Sequence, residues 1–185
     1  MTPIYVLGAG GHGRVVLDIL RRGGTPADGV FDDQRTAPLE GTRILGPFAA
    51  ALDRPGAGIV VALGDMALRR RWAAAVEAAG LSLIRAVHPD AIIAHSAQIG
   101  AGSVICAGAV IGPGATVGRH AIVNTLASVD HDCTVGDNAH VAPGVRLCGH
   151  VRVGADALVG AGAILLPGAT VADGTTVPAG HVLRA

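Results

Sequence analysis

From Ile93 to the end of the chain an aliphatic residue recurs at every sixth position: Ile93, Ile99, Ile105, Ile111, Val117, Val123, Val129, Val135, Val141, Leu147, Val153, Val159, Leu165, Val171, Val177 and Leu183. Sixteen positions keep this register without an insertion. Four residues after many of them sits a small residue, as at Ala97, Ser103, Ala109, Ala121, Cys133 and Ala139, and glycine often follows directly, as at Gly100, Gly112 and Gly136. A helix needs apolar residues every three or four positions and a strand alternates every two, so neither yields an unbroken period of six. The pattern predicts a solenoid of hexapeptide repeats, each burying its aliphatic side chain against its neighbours in the stack.

The first 86 residues follow other periods. Ile4 to Leu7 reads as a short buried strand, followed at once by Gly8-Ala9-Gly10-Gly11-His12-Gly13. Val15, Val16, Ile19 and Leu20 then recur at helical spacing, which predicts a helix over 14–22 stopped by Gly23 and Gly24. A second strand over 29–33 ends in Asp32 and Asp33, and a third over 59–63 is closed by Gly64 and Asp65. A helix over 67–79 stops at Gly80, and 81–87 predicts one more strand. The chain thus reads as a small Rossmann-like α/β domain over 1–86 followed by a repeat domain over 87–185.

Composition fits that division and narrows the chemistry. Only four of 185 residues are aromatic, Tyr5, Phe31, Phe48 and Trp72, so the repeats must pack from small and aliphatic side chains alone. All 14 basic residues are arginine, which excludes a Walker-A loop and a lysine Schiff base. Fourteen acids balance them, against a nucleic-acid-binding surface or a polybasic membrane anchor. No uncharged apolar run reaches the roughly 20 residues of a membrane span, and the first residues lack a basic leader and read as a strand, not a secretion signal. Cys106, Cys133 and Cys148 read as reduced thiols, and the expected location is cytoplasmic.

Most outward positions of the repeats hold Gly, Ala or Pro, so polar clusters there stand out. The densest is Asn124-Thr125 with Asp130-His131-Asp132-Cys133, followed by His140 and by Gly149-His150. His131 comes two residues after the inward Val129, which turns it outward or to a corner, and Gly149 lies three repeats further on, stacked over it. An imidazole under a bare backbone amide combines a general base with an oxyanion donor. Asp132, or less directly Asp130, can hold the imidazole tautomer and stabilise its cation. The plainer reading is an exposed histidine beside two solvated acids. Cys133 at an inward corner and Cys148 without a cationic partner make poor nucleophiles.

In this order the residues resemble a known family. Asn124-Thr125, Val129-Asp130-His131-Asp132-Cys133-x-Val135-Gly136 and His140-Val141-Ala142-Pro143-Gly144 look like the catalytic stretch of the NeuD/PglD-like sugar O- and N-acetyltransferases, which include the bacillosamine and perosamine N-acetyltransferases. The glycine run at 8–13, Phe31-Asp32-Asp33, Ala62-Leu63-Gly64-Asp65 with Arg69, and Val87-His88-Pro89 match the family's other marks, so the similarity spans nearly the whole chain. The resemblance implies a left-handed parallel β-helix with three hexapeptides per coil and about five coils, an exception to right-handed crossovers. It also implies that His131 is the general base oriented by Asp132, and that Asn124 lines the acceptor pocket. On the acetyl-CoA side it implies His140 near the thioester, the Gly149 amide at its carbonyl, and Gly160 and Ala161 at the donor. Such enzymes are trimers with active sites between subunits. Two departures follow: some members carry Glu at the positions flanking the histidine, where this sequence has Asp, and members commonly add a coil or tail where this sequence stops at Ala185, so fewer or rebuilt coenzyme A contacts are expected.

Gly8-x-Gly10-x-x-Gly13 with Asp32 about 20 residues on also satisfies the dinucleotide fingerprint and, taken alone, predicts NAD. The unit holds only one mononucleotide-binding half, which leaves no place for the nicotinamide. A glycine turn at a helix N-terminus binds any phosphate. The resemblance assigns it to a nucleotide-linked sugar, with Gly8, Gly10, Gly11 and His12 at the pyrophosphate or sugar and Asp32, Asp33, Gly64 and Asp65 at base and ribose. The expected activity is direct, acetyl-CoA-dependent N-acetylation of a nucleotide-linked amino sugar by a homotrimer, with no metal and no nucleic-acid or membrane partner. The alternatives are transfer to a sugar hydroxyl, a zinc lyase of the carbonic-anhydrase type, and a binding-only protein. The zinc site calls for a close His-x4-His pair, whereas His131, His140 and His150 stand nine and ten residues apart.

Overall fold

The structure, a computed structural model, describes residues 2–185. The chain divides into two compact units, Met1–Ala86 and Val87–Ala185. In the first, β1 (Ile4–Leu7), β2 (Gly29–Phe31), β3 (Gly58–Val61) and β4 (Ser82–Leu83) form one parallel sheet in the order β2-β1-β3-β4. Helix α1 (Gly11–Arg22) follows β1 and α2 (Met66–Ala78) follows β3. Every residue of β3 is buried, as expected of a central parallel strand. The chain runs from β1 outward to β2 and from β3 outward the other way to β4. β1 and β3 are therefore neighbours where the strand order reverses, and the loops at their C-terminal ends flank one crevice, the place where such sheets bind ligands.

Three expected boundaries shift, each for a local reason. Helix α1 starts at Gly11 rather than residue 14: Gly10 is the N-cap, and Gly13 sits in the first turn so close to the Gly8 carbonyl that any Cβ would overlap it. β2 ends at Phe31 because Asp32 folds back, its Oδ1 accepting from the Gln34 and Arg35 amides at 2.9 and 2.8 Å. The stretch over 81–87 breaks into β4 and a separate strand, Ala86–Val87.

The second unit is a left-handed parallel β-solenoid. Two-residue strands repeat along it and pair in parallel one coil apart, as in Ser128 opposite Arg146 and Val129 opposite Leu147. The strands stack into sheets of five, six and six. Val129, Val141, Val159 and Leu165 run through the interior with no exposure, while Ala121, Ala127, Cys133, Ala139 and Ala157 fill the corners, also with none. Each buried aliphatic contributes roughly 1.5–3 kcal/mol, and the interior cluster is made of small and aliphatic residues alone. The third residue after an inward aliphatic turns the corner with positive φ, mostly as glycine but also as Asp132 (+57°), Asn138 (+56°) and His150 (+62°). Asn, Asp and His tolerate this left-handed conformation better than other side chains. No helix among the described residues is long and apolar enough to cross a membrane.

Candidate functional site

The crevice of the first unit is a cavity of about 520 Å³ whose lining includes Gly8, Gly10, Gly11, His12, Asp32, Asp33 and Gly64. At its base α1 begins with Gly10 as N-cap, so no side chain caps the first amides of the helix. Such an end attracts an anion through its amides and dipole. Gly8 adopts φ +114°, and a Cβ there would lie 2.7 Å from the Ala62 carbonyl oxygen, so only glycine lets the two loops meet.

The acids divide their work differently from the expectation. Asp32 Oδ2 accepts from the Ala9 amide at 2.7 Å, and Oδ1 takes the Gln34 and Arg35 amides, so both oxygens serve the main chain. Burial would raise its pKa, but the amides of Ala9, Arg35 and Gln34, and then the Arg35 charge, outweigh that and hold it below the usual value. Asp32 ties the glycine loop to the end of β2 while also lining the cavity. Asp33 gives one oxygen to the Phe48 amide at 2.8 Å. Asp65 does not line the cavity: it caps α2, with Oδ1 accepting from the Leu68 amide at 2.8 Å. Arg69, 1% exposed, donates to the Leu63 and Gly64 carbonyls at 2.9 and 3.3 Å and fixes that turn.

The sequence did not single out Gln34, Phe48, Leu68, Arg71 or Trp72, which complete the lining. A signal existed in the scarcity of rings: Phe48 meets Trp72 edge-on at 5.2 Å, and the Arg71 guanidinium lies 5.7 Å from the Trp72 ring centre.

In the solenoid, His131 and Asp132 form the corner turn after the strand Ser128–Val129. The His131 Nδ1 lies 2.9 Å from Asp132 Oδ2. This hydrogen bond is the main reason that the His131 pKa is raised; slight burial opposes it, and the Asp130 and Asp132 charges add to it. Asp132 is lowered chiefly by the same bond. With Nδ1 engaged by the carboxylate, the neutral ring presents Nε2 as its basic nitrogen.

Gly149 occupies the equivalent corner position one coil further along. A Cβ built on it would lie 2.5 Å from His131 Nε2, so the ring rests directly on the bare glycine. At the same corner position Pro113 and Pro167 have no N–H, and the His131 N–H is taken by Asp130 Oδ1 at 2.7 Å. The N–H of the buried Gly149 meets no acceptor among the described residues. An unspent amide beside a histidine base is what an oxyanion requires.

The remaining expected residues cluster at another corner. Asn124 follows the strand Ile122–Val123, and its Nδ2 lies 3.2 Å from the Nε2 of His140, which opens the neighbouring strand His140–Val141. Gly160 and Ala161 follow Leu158–Val159, the next strand of that sheet. The strand Ser128–Val129 separates the Asn124 turn from the His131 turn, so one chain carries the two groups at different corners.

His150 was named in the sequence without a role, and the structure brings it to the dyad. Its Nδ1 lies 4.0 Å from Asp132 Oδ2, and its ring stands edge-on to His131 with centres 5.1 Å apart. Ligand atoms of His131, Asp132 and His150 lie within 4.8 Å of one another, a set of donors that suits zinc.

Comparison with known proteins agrees with this architecture. The PglD N-terminal domain family matches residues 3–76. The UDP-N-acetylbacillosamine N-acetyltransferase of Bacillus subtilis (strain 168) is 34% identical over 112 residues, covering 57% of this chain and about half (51%) of that protein. The acetyltransferase domain of PglB from Neisseria gonorrhoeae FA1090 superposes with a TM-score of 0.94 at 36% identity, over 99% of this chain and 91% of that one. A second structure of that domain is a complex with acetyl coenzyme A. A mutant of perosamine N-acetyltransferase from Caulobacter crescentus, in complex with CoA and GDP-perosamine, gives a TM-score of 0.94 at 33% identity, over 100% and 91% of the two chains.

The fold and the histidine corner define a hexapeptide-repeat acyltransferase preceded by an α/β unit. Within that class the chain belongs to the PglD/PerB-type sugar N-acetyltransferases.

Proposed function

We propose that this protein transfers the acetyl group of acetyl-CoA to the amino group of a nucleotide-linked sugar. The observation that carries the reading is the unspent Gly149 N–H lying against Nε2 of an Asp-held His131. The sugar ammonium first loses a proton to solvent to become nucleophilic, and His131 Nε2 takes the second proton that the amine sheds as it attacks the thioester carbonyl. The oxyanion of the tetrahedral intermediate accepts from the Gly149 N–H. The C–S bond then breaks, the coenzyme A thiolate leaves, and the His131 proton returns to sulfur. No acyl-enzyme is required. Burial pushes the Cys106 thiol up to about 12 and raises Cys133 as well, which leaves neither as a nucleophile.

The first unit holds the nucleotide, with the pyrophosphate at the start of α1 and the base against the Phe48, Arg71 and Trp72 side of the cavity. Asn124 and His140 serve the acceptor and the thioester. Because they stand at a different corner from His131, a complete site draws one corner from each of two neighbouring copies, and a homotrimer gives three such sites. Free thiols at Cys106, Cys133 and Cys148 support a cytoplasmic location.

Thiol release from acetyl-CoA, followed with amino- and hydroxy-sugar nucleotides carrying UDP, GDP or dTDP, tests the reading. Turnover with an amino sugar and not with its hydroxyl counterpart is expected. Turnover only with hydroxyl acceptors makes the protein an O-acetyltransferase, and no turnover with either class overturns the proposal.

A further inference from the structure

The His131–Asp132 pair shares its corner with a third donor. The turn one coil above carries His150 in the left-handed conformation, and the His150 amide donates to the His131 carbonyl at 3.1 Å. One coil below, the Pro113 carbonyl accepts from the Asp132 amide at 3.0 Å. A Cβ built on Gly114 would lie 2.7 Å from Asp132 Oδ1, so that oxygen rests on bare glycine. The other oxygen, Oδ2, faces both rings, with His131 Nδ1 at 2.9 Å and His150 Nδ1 at 4.0 Å. Three donors thus converge from two adjacent turns whose main chains are tied together.

We propose that His131 Nδ1, Asp132 Oδ2 and His150 Nδ1 bind one zinc ion per chain, and that the bound ion switches acetyl transfer off. The binding stands on geometry alone; the switching rests on the acetyl-transfer reading.

Ligands of a tetrahedral zinc sit about 2.0–2.2 Å from the ion and therefore about 3.3–3.5 Å from one another. The observed 2.9 and 4.0 Å bracket that spacing, and a change of about half an ångström in each meets it. The rings already stand as one ion would hold them. Two imidazoles on a tetrahedral zinc have centres about 5 Å apart, and here the centres are 5.1 Å apart with planes at 89°. All three side chains are at least half exposed, so they can close on the ion while water takes the fourth position. Asp130, whose Oδ1 accepts from the His131 amide, adds a second negative charge to the corner. Two nitrogens and one carboxylate select zinc over magnesium and calcium, which take oxygen donors.

The consequence for the base follows from the two ring nitrogens. In the metal-free dyad the neutral ring carries its hydrogen on Nδ1, facing Asp132, and keeps the Nε2 lone pair for the reaction. Zinc on Nδ1 occupies the place of that hydrogen, which passes through solvent to Nε2. Nε2 then has no lone pair with which to accept a proton from the amine. The Gly149 N–H is untouched, so the ion removes the base and leaves the oxyanion donor in place.

The test uses the untagged full chain. Equilibrium dialysis should find one zinc per chain, and cobalt(II) in its place should show the strong visible absorption of a four-coordinate ion. Zinc should stop formation of the acetylated sugar, EDTA should restore the metal-free rate, and magnesium at the same concentration should have no effect. His150→Asn deletes one ligand, and Asn138 shows that asparagine fits a left-handed corner. His150→Phe deletes it while keeping a ring, and Leu126 (φ +57°) shows that a bulky side chain is accommodated there. Loss even of an outer partner of a metal ligand costs about 10–100-fold in affinity, so both variants should bind zinc at least about 10-fold more weakly. Both should also continue acetyl transfer at zinc concentrations that stop the wild type. A wild type that retains no zinc on dialysis, or variants that bind it as tightly as the wild type, overturns the site. Zinc-loaded wild type that transfers acetyl at the metal-free rate or faster overturns the switch. Absence of turnover with every acceptor overturns the acetyl-transfer reading and the switch with it, while dialysis and the cobalt spectrum still decide the site.

Discussion

Gly149 is where one methyl group tests the whole site. Its φ is not in the left-handed region, so alanine fits the backbone, yet the new Cβ would lie 2.5, 2.6 and 3.2 Å from Nε2, Cε1 and Cδ2 of His131. Ordinary carbon contacts begin near 3.4 Å, so the imidazole must retreat by about 1 Å. His131 is half exposed and can swing into solvent, so the fold loses little. Catalysis does not escape: misplacing a reacting group by about 1 Å costs on the order of 100-fold, or about 2.7 kcal/mol of barrier. Gly149→Pro goes one step further, because it adds the same Cβ and deletes the N–H. Pro113 and Pro167 stand at the equivalent corners, so the turn accepts proline. Losing one oxyanion donor costs about 10²–10³-fold in kcat, to be measured on top of the alanine effect. The assay is thiol release from acetyl-CoA with the preferred acceptor, beside a thermal melt for each variant. Gly149→Ala within threefold of the wild-type rate, or Gly149→Pro no worse than Gly149→Ala, would refute the base-and-amide arrangement.

Other outcomes follow from the same geometry. On the proposed mechanism neutral His131 is the base, and its pKa is raised, so wild-type activity should fall as pH drops through a midpoint above the ordinary histidine value of about 6.5. Asp132→Asn removes the main cause of that rise, so its acid limb should move to lower pH while kcat drops about 100-fold or more; an unmoved limb contradicts the dyad. Asp32→Ala cuts three hydrogen bonds to the main chain and should cost about 1–3 kcal/mol in urea unfolding, with a smaller melting shift on adding a nucleoside diphosphate. Treatment with EDTA should leave acetyl transfer unchanged; loss of activity restored by zinc would favour a metal at His131, Asp132 and His150. His131→Ala and His140→Ala should each be inactive alone, whereas co-refolded mixtures should recover about a quarter of wild-type activity if each site takes one corner from each of two copies.

The repeat unit was legible because its period is a packing requirement. An aliphatic side chain must enter the interior once per face, so one missing position would leave a hole, and sixteen in register mark a hexapeptide solenoid, while its left hand is implied only by the resemblance. The first unit was legible in its strands and less so at its junctions. Helix α1 reaches back to Gly11 because the contact of Gly13 with Gly8 favours helix where intrinsic propensity disfavours it. β2 ends early because Asp32 spends its carboxylate on local amides, a choice that hydrophobic pattern does not record.

The site divides along the same line. Residues stacked one coil apart form a column in the sequence, which is how the repeat alone sets Gly149 over His131. Side chains that lean across columns cannot. His150 stands one position past the column of His131, and only the left-handed turn swings its ring back to Asp132. His131 and His150 are far apart along the chain but adjacent on the solenoid, because neighbours there are set by the coil. In the cavity of the first unit no period operates at all. Phe48, Arg71 and Trp72 come from a 3-10 turn and from α2, and they meet the glycine loop only because the reversal of strand order puts β1 beside β3. The acids beside them looked like nucleotide contacts because their spacing is that of a ribose-binding carboxylate. Asp32 and Asp65 also use their oxygens to build the loops, one clamping Ala9 and the other capping α2, while Asp32 and Asp33 line the cavity as well. For a ligand that carries a pyrophosphate this also makes electrostatic sense: acids whose oxygens are spent on the main chain oppose it less than acids left open to it.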